Sequence, residues 1–178
     1  MMLLRPIILL FALLLGTPVA AQTQPMPIPA APELGAESYV LMDFHSGEIL
    51  ADKNVDLRRD PASLTKVMTA FVVFSELQSG NLALDEEVLI SEKAWRAPGS
   101  RMFIEVGDRI SVENLLRGMI IQSGNDASVA LAEHVAGSEE TFAALMNQYA
   151  AELGMENTHF TNSAGLPDPD HYASALDI

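Results

Sequence analysis

Residues 60–66 read Asp60-Pro61-Ala62-Ser63-Leu64-Thr65-Lys66 and begin a long apolar helix. We predict Asp60 as the residue that caps this helix and Pro61 as its first residue. Residues three apart on a helix share one face, with Cβ atoms about 5 to 6 Å apart, so the Ser63 hydroxyl and the Lys66 amine can meet. A neutral lysine there can take the serine's proton, which makes the pair a candidate nucleophile and base.

The Ser-x-x-Lys spacing is weak when it is taken alone. With 13 serines and 3 lysines in 178 residues, about 0.2 matches arise by chance, and an ordinary helix start is the competing interpretation. The helix is apolar over most of its circumference up to Leu77, and Gly80 is predicted to end it. Polar groups at the start of a buried helix need partners or water, so we expect a cleft at this end.

The first 36 residues predict a signal for export followed by a tether. Residues 1–21 combine Arg5, a short apolar run and small residues before a cleavage point, as in a secretory signal peptide. The run is too short to span a membrane. Residues 22–36, with four prolines before position 33, are predicted to be an extended tether. We expect a periplasmic protein, and any attachment to the inner membrane would require a C-terminal segment outside this sequence.

Composition narrows the class of protein. The chain has no cysteine, so its fold must depend on a packed core. Its formal charge is −14, or −15 without Arg5 of the signal peptide, and a negative surface repels phosphate backbones and anionic lipids. Nucleic acid is therefore excluded as a partner, and residues 37–178 are predicted to form part of one domain.

Hydrophobic patterns predict the order of elements. Residues 38–44 and 48–52 flank a Gly-bearing turn and predict an antiparallel hairpin. Short strands are predicted at 88–90 and 102–104, and helices after Ser111, Asp126 and Ser138. Ser123-Gly124-Asn125 forms a corner between two apolar helices, where side chains either cap a helix or point into a cleft. The last five residues hold one turn of a new helix, so we expect the sequence to be cut short.

Two motifs together carry a resemblance to a known family. Ser63-Leu64-Thr65-Lys66 and Ser123-Gly124-Asn125 match two of the three motifs of penicillin-binding proteins and serine β-lactamases. Nearly all of residues 37–178 resemble the low-molecular-mass penicillin-binding proteins that are serine-type D-alanyl-D-alanine carboxypeptidases. The Ser-Gly-Asn form of the second motif, in place of Ser-Asp-Asn, favours that carboxypeptidase branch.

The resemblance implies a mixed α/β (α+β) fold of the β-lactamase/transpeptidase-like type, with an antiparallel sheet flanked by helices. Only the helical part and the first two sheet strands are expected here. The third motif, Lys-Thr-Gly, is absent because none of the three lysines precedes a threonine. That motif lies on an edge strand, which also supplies an oxyanion donor in this family. Residues 22–178 alone are therefore expected to be inactive.

Residue roles follow from the resemblance. It implies that Ser63 is the acylated nucleophile, Lys66 its general base, and Ser123 a proton shuttle toward the leaving D-alanine. Asn125 would hydrogen-bond the substrate amide. The implied partners are peptidoglycan stem peptides that end in D-Ala-D-Ala, with β-lactam antibiotics as covalent inhibitors. No cofactor is expected, and His159 and His171 lack a third ligand at metal-binding spacing.

Two other functions compete with this one. Class A β-lactamases use a loop glutamate to drive deacylation, but the sequence has no Glu-x-x-x-Asn. A non-catalytic peptidoglycan-binding module, or an inactive fragment, would keep the fold without the chemistry. The presence of Ser63, Lys66, Ser123 and Asn125 together disfavours that alternative.

Overall fold

The N-terminal hairpin comes first in the computed structural model, which describes residues 30–178. Strands β1 (Tyr39–Met42) and β2 (Ile49–Lys53) pair antiparallel, as predicted. Asp43 closes the turn, since its carboxylate accepts hydrogen bonds from the backbone and the hydroxyl of Ser46 at 2.7 and 2.8 Å. The predicted signal peptide and most of the predicted tether lie outside the described residues. Residues 30–36 are exposed and belong to no helix or strand.

The long helix begins later than the sequence predicts. A 3₁₀ turn at Ala62–Leu64 leads into α1 (Thr65–Gln78), and no side chain caps either element. The prediction that Asp60 caps this helix is therefore wrong. Its neighbour Arg59 exchanges backbone hydrogen bonds of 2.9 Å with Ala173, which keeps the chain extended up to the turn. The predicted end is confirmed, because α1 stops just before Gly80, whose φ is +74°.

A second small sheet follows α1. Strand β3 (Glu87–Leu89) pairs antiparallel with β4 (Arg109–Ser111), and the short helix α2 (Glu92–Trp95) lies between them in sequence. The strand predicted at 88–90 is present one residue earlier. The prediction of a strand at 102–104 is wrong, because the backbone N–H groups of all three residues donate to the carboxylate of Asp126 and not to a neighbouring strand.

Three further helices follow, and the predicted serine caps of the first and third are confirmed. They are α3 (Val112–Gln122), α4 (Asn125–Ala136) and α5 (Glu139–Glu152). The hydroxyl of Ser111 accepts a hydrogen bond from the N–H of Asn114, and that of Ser138 accepts one from the N–H of Thr141. Such a cap typically stabilises a helix by about 1 kcal/mol.

Helix α4 is the centre of the packing. Its first eight residues, 125–132, are all buried, and it contacts α1, α2, α3 and α5. Helix α1 is less enclosed than its apolar sequence predicts, because Val67, Phe71 and Phe74 remain 40 to 59% exposed. The loop at 158–172 contains no helix and returns to the start of α1. None of the helices between residues 30 and 178 is long and apolar enough to cross a membrane.

Candidate active site

Ser63 and Lys66 lie on either side of the junction between the 3₁₀ turn and α1. The Lys66 amine is 3.3 Å from the Ser63 hydroxyl oxygen, so the two side chains meet as their spacing predicts. Ser63 is exposed, whereas Lys66 is only 7% exposed. The serine is thus accessible while its partner amine is buried. Ala62, which precedes the serine, has a left-handed backbone with φ +46°, a conformation that costs about 1 to 2 kcal/mol for a residue other than glycine.

Burial gives Lys66 the properties of a base. Its amine donates a hydrogen bond of 2.8 Å to the carbonyl oxygen of Ala164, on the loop that covers the start of α1. Burial lowers the pKa of Lys66 below its usual 10.5, because the charged ammonium loses hydration. A lysine acts as a general base only when its neutral form is accessible, and this environment favours that form.

The loop that supplies this carbonyl is tightly held. The amide oxygen of Asn162 accepts hydrogen bonds from the N–H groups of Ala164, Gly165 and Leu166 at 2.8 to 3.2 Å. Gly165 has φ +83°, and a Cβ there would overlap the backbone carbonyl of Ala62. The chain can pass so close to the Ser63 turn only because this residue is glycine.

His171 joins the same loop to α1. It is 3% exposed, and its Nδ1 accepts a hydrogen bond from the N–H of Thr161 at 3.0 Å. In the neutral ring the proton is therefore on Nε2, which donates to the Thr65 hydroxyl at 2.8 Å. Burial lowers the pKa of His171, so the ring is held neutral. His171 is thus a structural link beside the site, and no sequence spacing pointed to it.

Ser123 contributes an unpaired hydroxyl. It follows α3 with a left-handed backbone, φ +55°, which orients its side chain at the corner between α3 and α4. Its Oγ is buried, and among residues 30–178 it is the one buried side-chain polar atom without a hydrogen-bond partner. Leaving such a group unpaired costs about 1 to 3 kcal/mol. A native structure accepts that cost most readily where a ligand or reacting group completes the bond.

An open cavity of about 450 Å³ brings three of the predicted residues together. Ser63, Lys66 and Ser123 form its polar part. Side chains of α1 and α3 form an apolar wall, which consists of Val67, Ala70, Phe71, Phe74, Met119 and Ile120. The size fits a short peptide or a drug-sized ligand. The predicted cleft at the start of α1 is therefore present.

Asn125 is close in sequence but does not line this cavity. It is 7% exposed, and its side-chain amide donates a hydrogen bond of 2.6 Å to the carbonyl of Pro98. Its backbone N–H donates to the carbonyl of Ser100 at 2.7 Å. These bonds connect the 98–100 segment to the corner between α3 and α4. The substrate-binding role of Asn125 stays a prediction.

Asp126 holds the adjoining residues 102 and 103 in place through its carboxylate. It is 1% exposed, and its carboxylate accepts hydrogen bonds from the N–H groups of Met102 at 3.0 Å and Phe103 at 2.9 Å. Phe103 is held in a left-handed conformation with φ +64° while its ring is 78% exposed. The position of Asp126, directly after the Ser-Gly-Asn motif, did not predict these hydrogen bonds.

Metal binding has no structural support in the described part of the chain. Between residues 30 and 178 no group of three or more His, Asp or Glu side chains is arranged to hold a metal ion. His159 pairs instead with Tyr172 through backbone bonds of 2.8 and 3.0 Å.

The fold is similar to that of solved penicillin-binding proteins and D-alanyl-D-alanine carboxypeptidases. The chain is 48% identical to the D-alanyl-D-alanine carboxypeptidase DacD of Francisella tularensis, with a TM-score of 0.82 over 86% of this chain and 38% of that one. It is 45% identical to penicillin-binding protein 5 of Haemophilus influenzae, with a TM-score of 0.81 over 84% of this chain and 44% of that one.

Sequence comparison gives the family. The chain is 44% identical over 157 residues to the D-alanyl-D-alanine carboxypeptidase DacA of Escherichia coli K12, which is 85% of this chain and 39% of that protein. The model of the D-alanyl-D-alanine carboxypeptidase family, peptidase family S11, matches residues 25–178. The chain therefore belongs to this family, as its two motifs predicted. It spans about two fifths of the length of the relatives that it matches.

Proposed function

We propose that these residues carry the acylating centre of a serine-type D-Ala-D-Ala carboxypeptidase that acts on peptidoglycan pentapeptides. One observation carries the proposal. The buried Lys66 amine lies 3.3 Å from the exposed Ser63 hydroxyl, in a cavity that also receives the unpaired Ser123 hydroxyl. Nucleophile, base and a second proton carrier are thus assembled in one place.

The first step is acylation. Neutral Lys66 takes the proton of Ser63 as the serine oxygen attacks the carbonyl carbon of the penultimate D-alanine. The new C–O bond forms and the peptide C–N bond breaks. The leaving D-alanine amine receives the proton through Ser123, and the stem peptide stays on Ser63 as an ester. Water then hydrolyses this ester and restores the serine.

The same centre accounts for penicillin binding. A β-lactam presents a strained amide to the Ser63 oxygen, and opening of its ring leaves the drug attached as an ester. The loop group that contacts Lys66 is the Ala164 carbonyl, and the sequence has no Glu-x-x-x-Asn, the pattern that would supply the deacylating glutamate of class A β-lactamases. We therefore expect slow release of the drug, which favours a carboxypeptidase over a β-lactamase.

Release of D-alanine tests the proposal directly. The whole protein to which these residues belong is incubated with diacetyl-lysyl-D-alanyl-D-alanine, and free D-alanine is measured. We expect turnover that Ser63→Ala abolishes. Absence of turnover with slow covalent penicillin binding would restrict the protein to binding, and rapid nitrocefin hydrolysis would make it a β-lactamase.

We further propose that the protein works in the periplasm after removal of residues 1–21. The charged residue, apolar run and small residues of this segment support export. The peptidoglycan substrate lies in the same compartment. N-terminal sequencing of the protein from a periplasmic extract should begin near Gln22, and a protein that retains Met1 in the cytoplasm would contradict the proposal.

A further inference from the structure

The Ala164 carbonyl that contacts Lys66 is held in place by a carboxylate behind it. Glu139, the first residue of α5, is only 8% exposed. Its Oε1 accepts two hydrogen bonds from Ser163, from the N–H at 3.1 Å and from the hydroxyl at 2.9 Å. Its Oε2 pairs with the Lys93 amine at 3.1 Å. A buried carboxylate is thus directed at the residue next to the one that contacts the catalytic lysine.

Ser163 is held in place by hydrogen bonds to all of its polar groups. It is fully buried, and its carbonyl accepts a hydrogen bond of 2.6 Å from the Thr69 hydroxyl on α1. Its N–H, its hydroxyl and its carbonyl are therefore all bonded. Since Ala164 follows directly, a displacement of Ser163 moves the carbonyl that lies 2.8 Å from the Lys66 amine.

We propose that Glu139 is a positioning residue that acts through Ser163: it holds the 163–165 segment against Lys66 and keeps water away from the amine. This inference rests on the proposed function, because it assigns Lys66 the role of base. Glu139 itself does not line the cavity, so it does not touch the substrate. Its effect reaches the chemistry only through the loop.

The expected effect of losing Glu139 has a definite direction. Burial is what lowers the pKa of Lys66, so a loosened loop that admits water raises this pKa toward 10.5. A rise of about one unit lowers the neutral fraction of the amine about tenfold at any pH below both values. The rate of acylation falls by the same factor, and its pH profile moves to higher pH.

Other titratable groups lie near these two residues. Lys93 on α2 pairs with both Glu139 and the exposed Glu140. Burial lowers the pKa of Lys93, but the hydrogen bonds with Glu140 and Glu139 outweigh it and raise the pKa overall. On the loop side His171 bonds Thr65, next to Lys66. Its buried ring is held neutral, so it does not mask a titration of the lysine above pH 7.

Glu140 provides a matched control. It is the next residue on α5, it carries the same charge, and it contacts the same lysine at 2.8 Å. Its side chain is 75% exposed, and it makes no hydrogen bond to the 163–165 segment. Glu140→Ala therefore removes one charge from the same helix end without touching the loop.

The test measures the rate of acylation by a fluorescent penicillin from pH 5 to 10, in the whole protein. We expect Glu139→Ala, which removes the acceptor of both Ser163 hydrogen bonds, to lower the rate at pH 7 about tenfold and to raise the midpoint of the profile by about one unit. Glu140→Ala should stay within about twofold of the wild type, with an unchanged midpoint. Ser163→Ala, which keeps the N–H bond to Glu139, should shift the midpoint in the same direction by less.

The outcomes separate the two proposals. A Glu139→Ala variant that loses thermal stability but keeps the wild-type midpoint would overturn the positioning role, as would equal effects in both glutamate variants. If Glu139→Ala does not fold, an unshifted midpoint in Ser163→Ala overturns it. If the wild type itself is not acylated, the proposed function fails. NMR titration of the Lys66 amine in wild type and Glu139→Ala then still decides whether Glu139 sets its environment.

Discussion

Removing the Asp126 carboxylate should destabilise the protein far more than removing a similar exposed carboxylate. Asp126→Ala leaves the N–H groups of Met102 and Phe103 without their acceptor. Hydrogen bonds to a charged group contribute about 1.5 to 3 kcal/mol each, so the two together contribute about 3 to 6 kcal/mol. Phe103 regains about 1 to 2 kcal/mol when its left-handed backbone relaxes. We expect a net loss of about 2 to 4 kcal/mol in the free energy of unfolding.

Urea denaturation of the whole protein, followed by far-UV circular dichroism, measures this change. Asp108→Ala is the control, because Asp108 makes the same kind of bond, from the N–H of Glu105 at 3.2 Å, on the exposed surface. That variant should remain within about 0.5 kcal/mol of the wild type. If Asp126→Ala is equally mild, the buried carboxylate does not hold this loop and the reasoning is refuted.

Three further predictions concern the surroundings of the site. Lys66→Ala should slow acylation by penicillin about 10²-fold or more. The wild-type rate should rise with pH to a midpoint below 10.5, because burial lowers the pKa of Lys66. A rate that does not depend on pH would exclude Lys66 as the base. Gly165→Ala should lower the free energy of unfolding by about 3 kcal/mol or more, since the new Cβ meets the Ala62 carbonyl at φ +83°; a variant of unchanged melting temperature would contradict this. Burial lowers the pKa of His171 from 6.5, so its neutral ring stabilises the fold fully above pH 6.5, and that stability is lost as the pH falls through the folded pKa. Thermal unfolding of His171→Gln between pH 7 and 5 should show a flatter pH dependence, and an unchanged slope would oppose the assignment.

Local chemistry made part of the fold predictable. Ser111 and Ser138 cap helices because serine oxygens accept backbone N–H bonds wherever a helix begins. The N-terminal hairpin follows from two runs of strand-favouring residues on either side of a Gly-bearing turn. The Ser63–Lys66 contact also depends only on helix geometry. Each of these features depends only on residues a few positions apart in the chain, so the sequence alone predicts it.

Long-range contacts account for the parts that sequence patterns missed. Residues 102–104 have the composition of a strand, but their N–H groups bond to Asp126, more than 20 residues later. The carbonyl that contacts Lys66 lies 98 positions away, on a loop without periodicity. The sequence predicts Glu139 only as an acidic residue at the positive end of a helix. The residues around it in the chain do not indicate its hydrogen bonds with Ser163. Partners of this kind are fixed by packing, which a single sequence does not display.

Peptide mapping after labelling with a fluorescent penicillin tests whether Ser63 is the nucleophile of this site. In the whole protein the label should be found on the single peptide that contains Ser63, and Ser63→Ala should remove it. Ser123→Ala should still be labelled, at a lower rate. Undiminished labelling of Ser63→Ala, or a label that maps to another serine, would exclude Ser63 as the nucleophile.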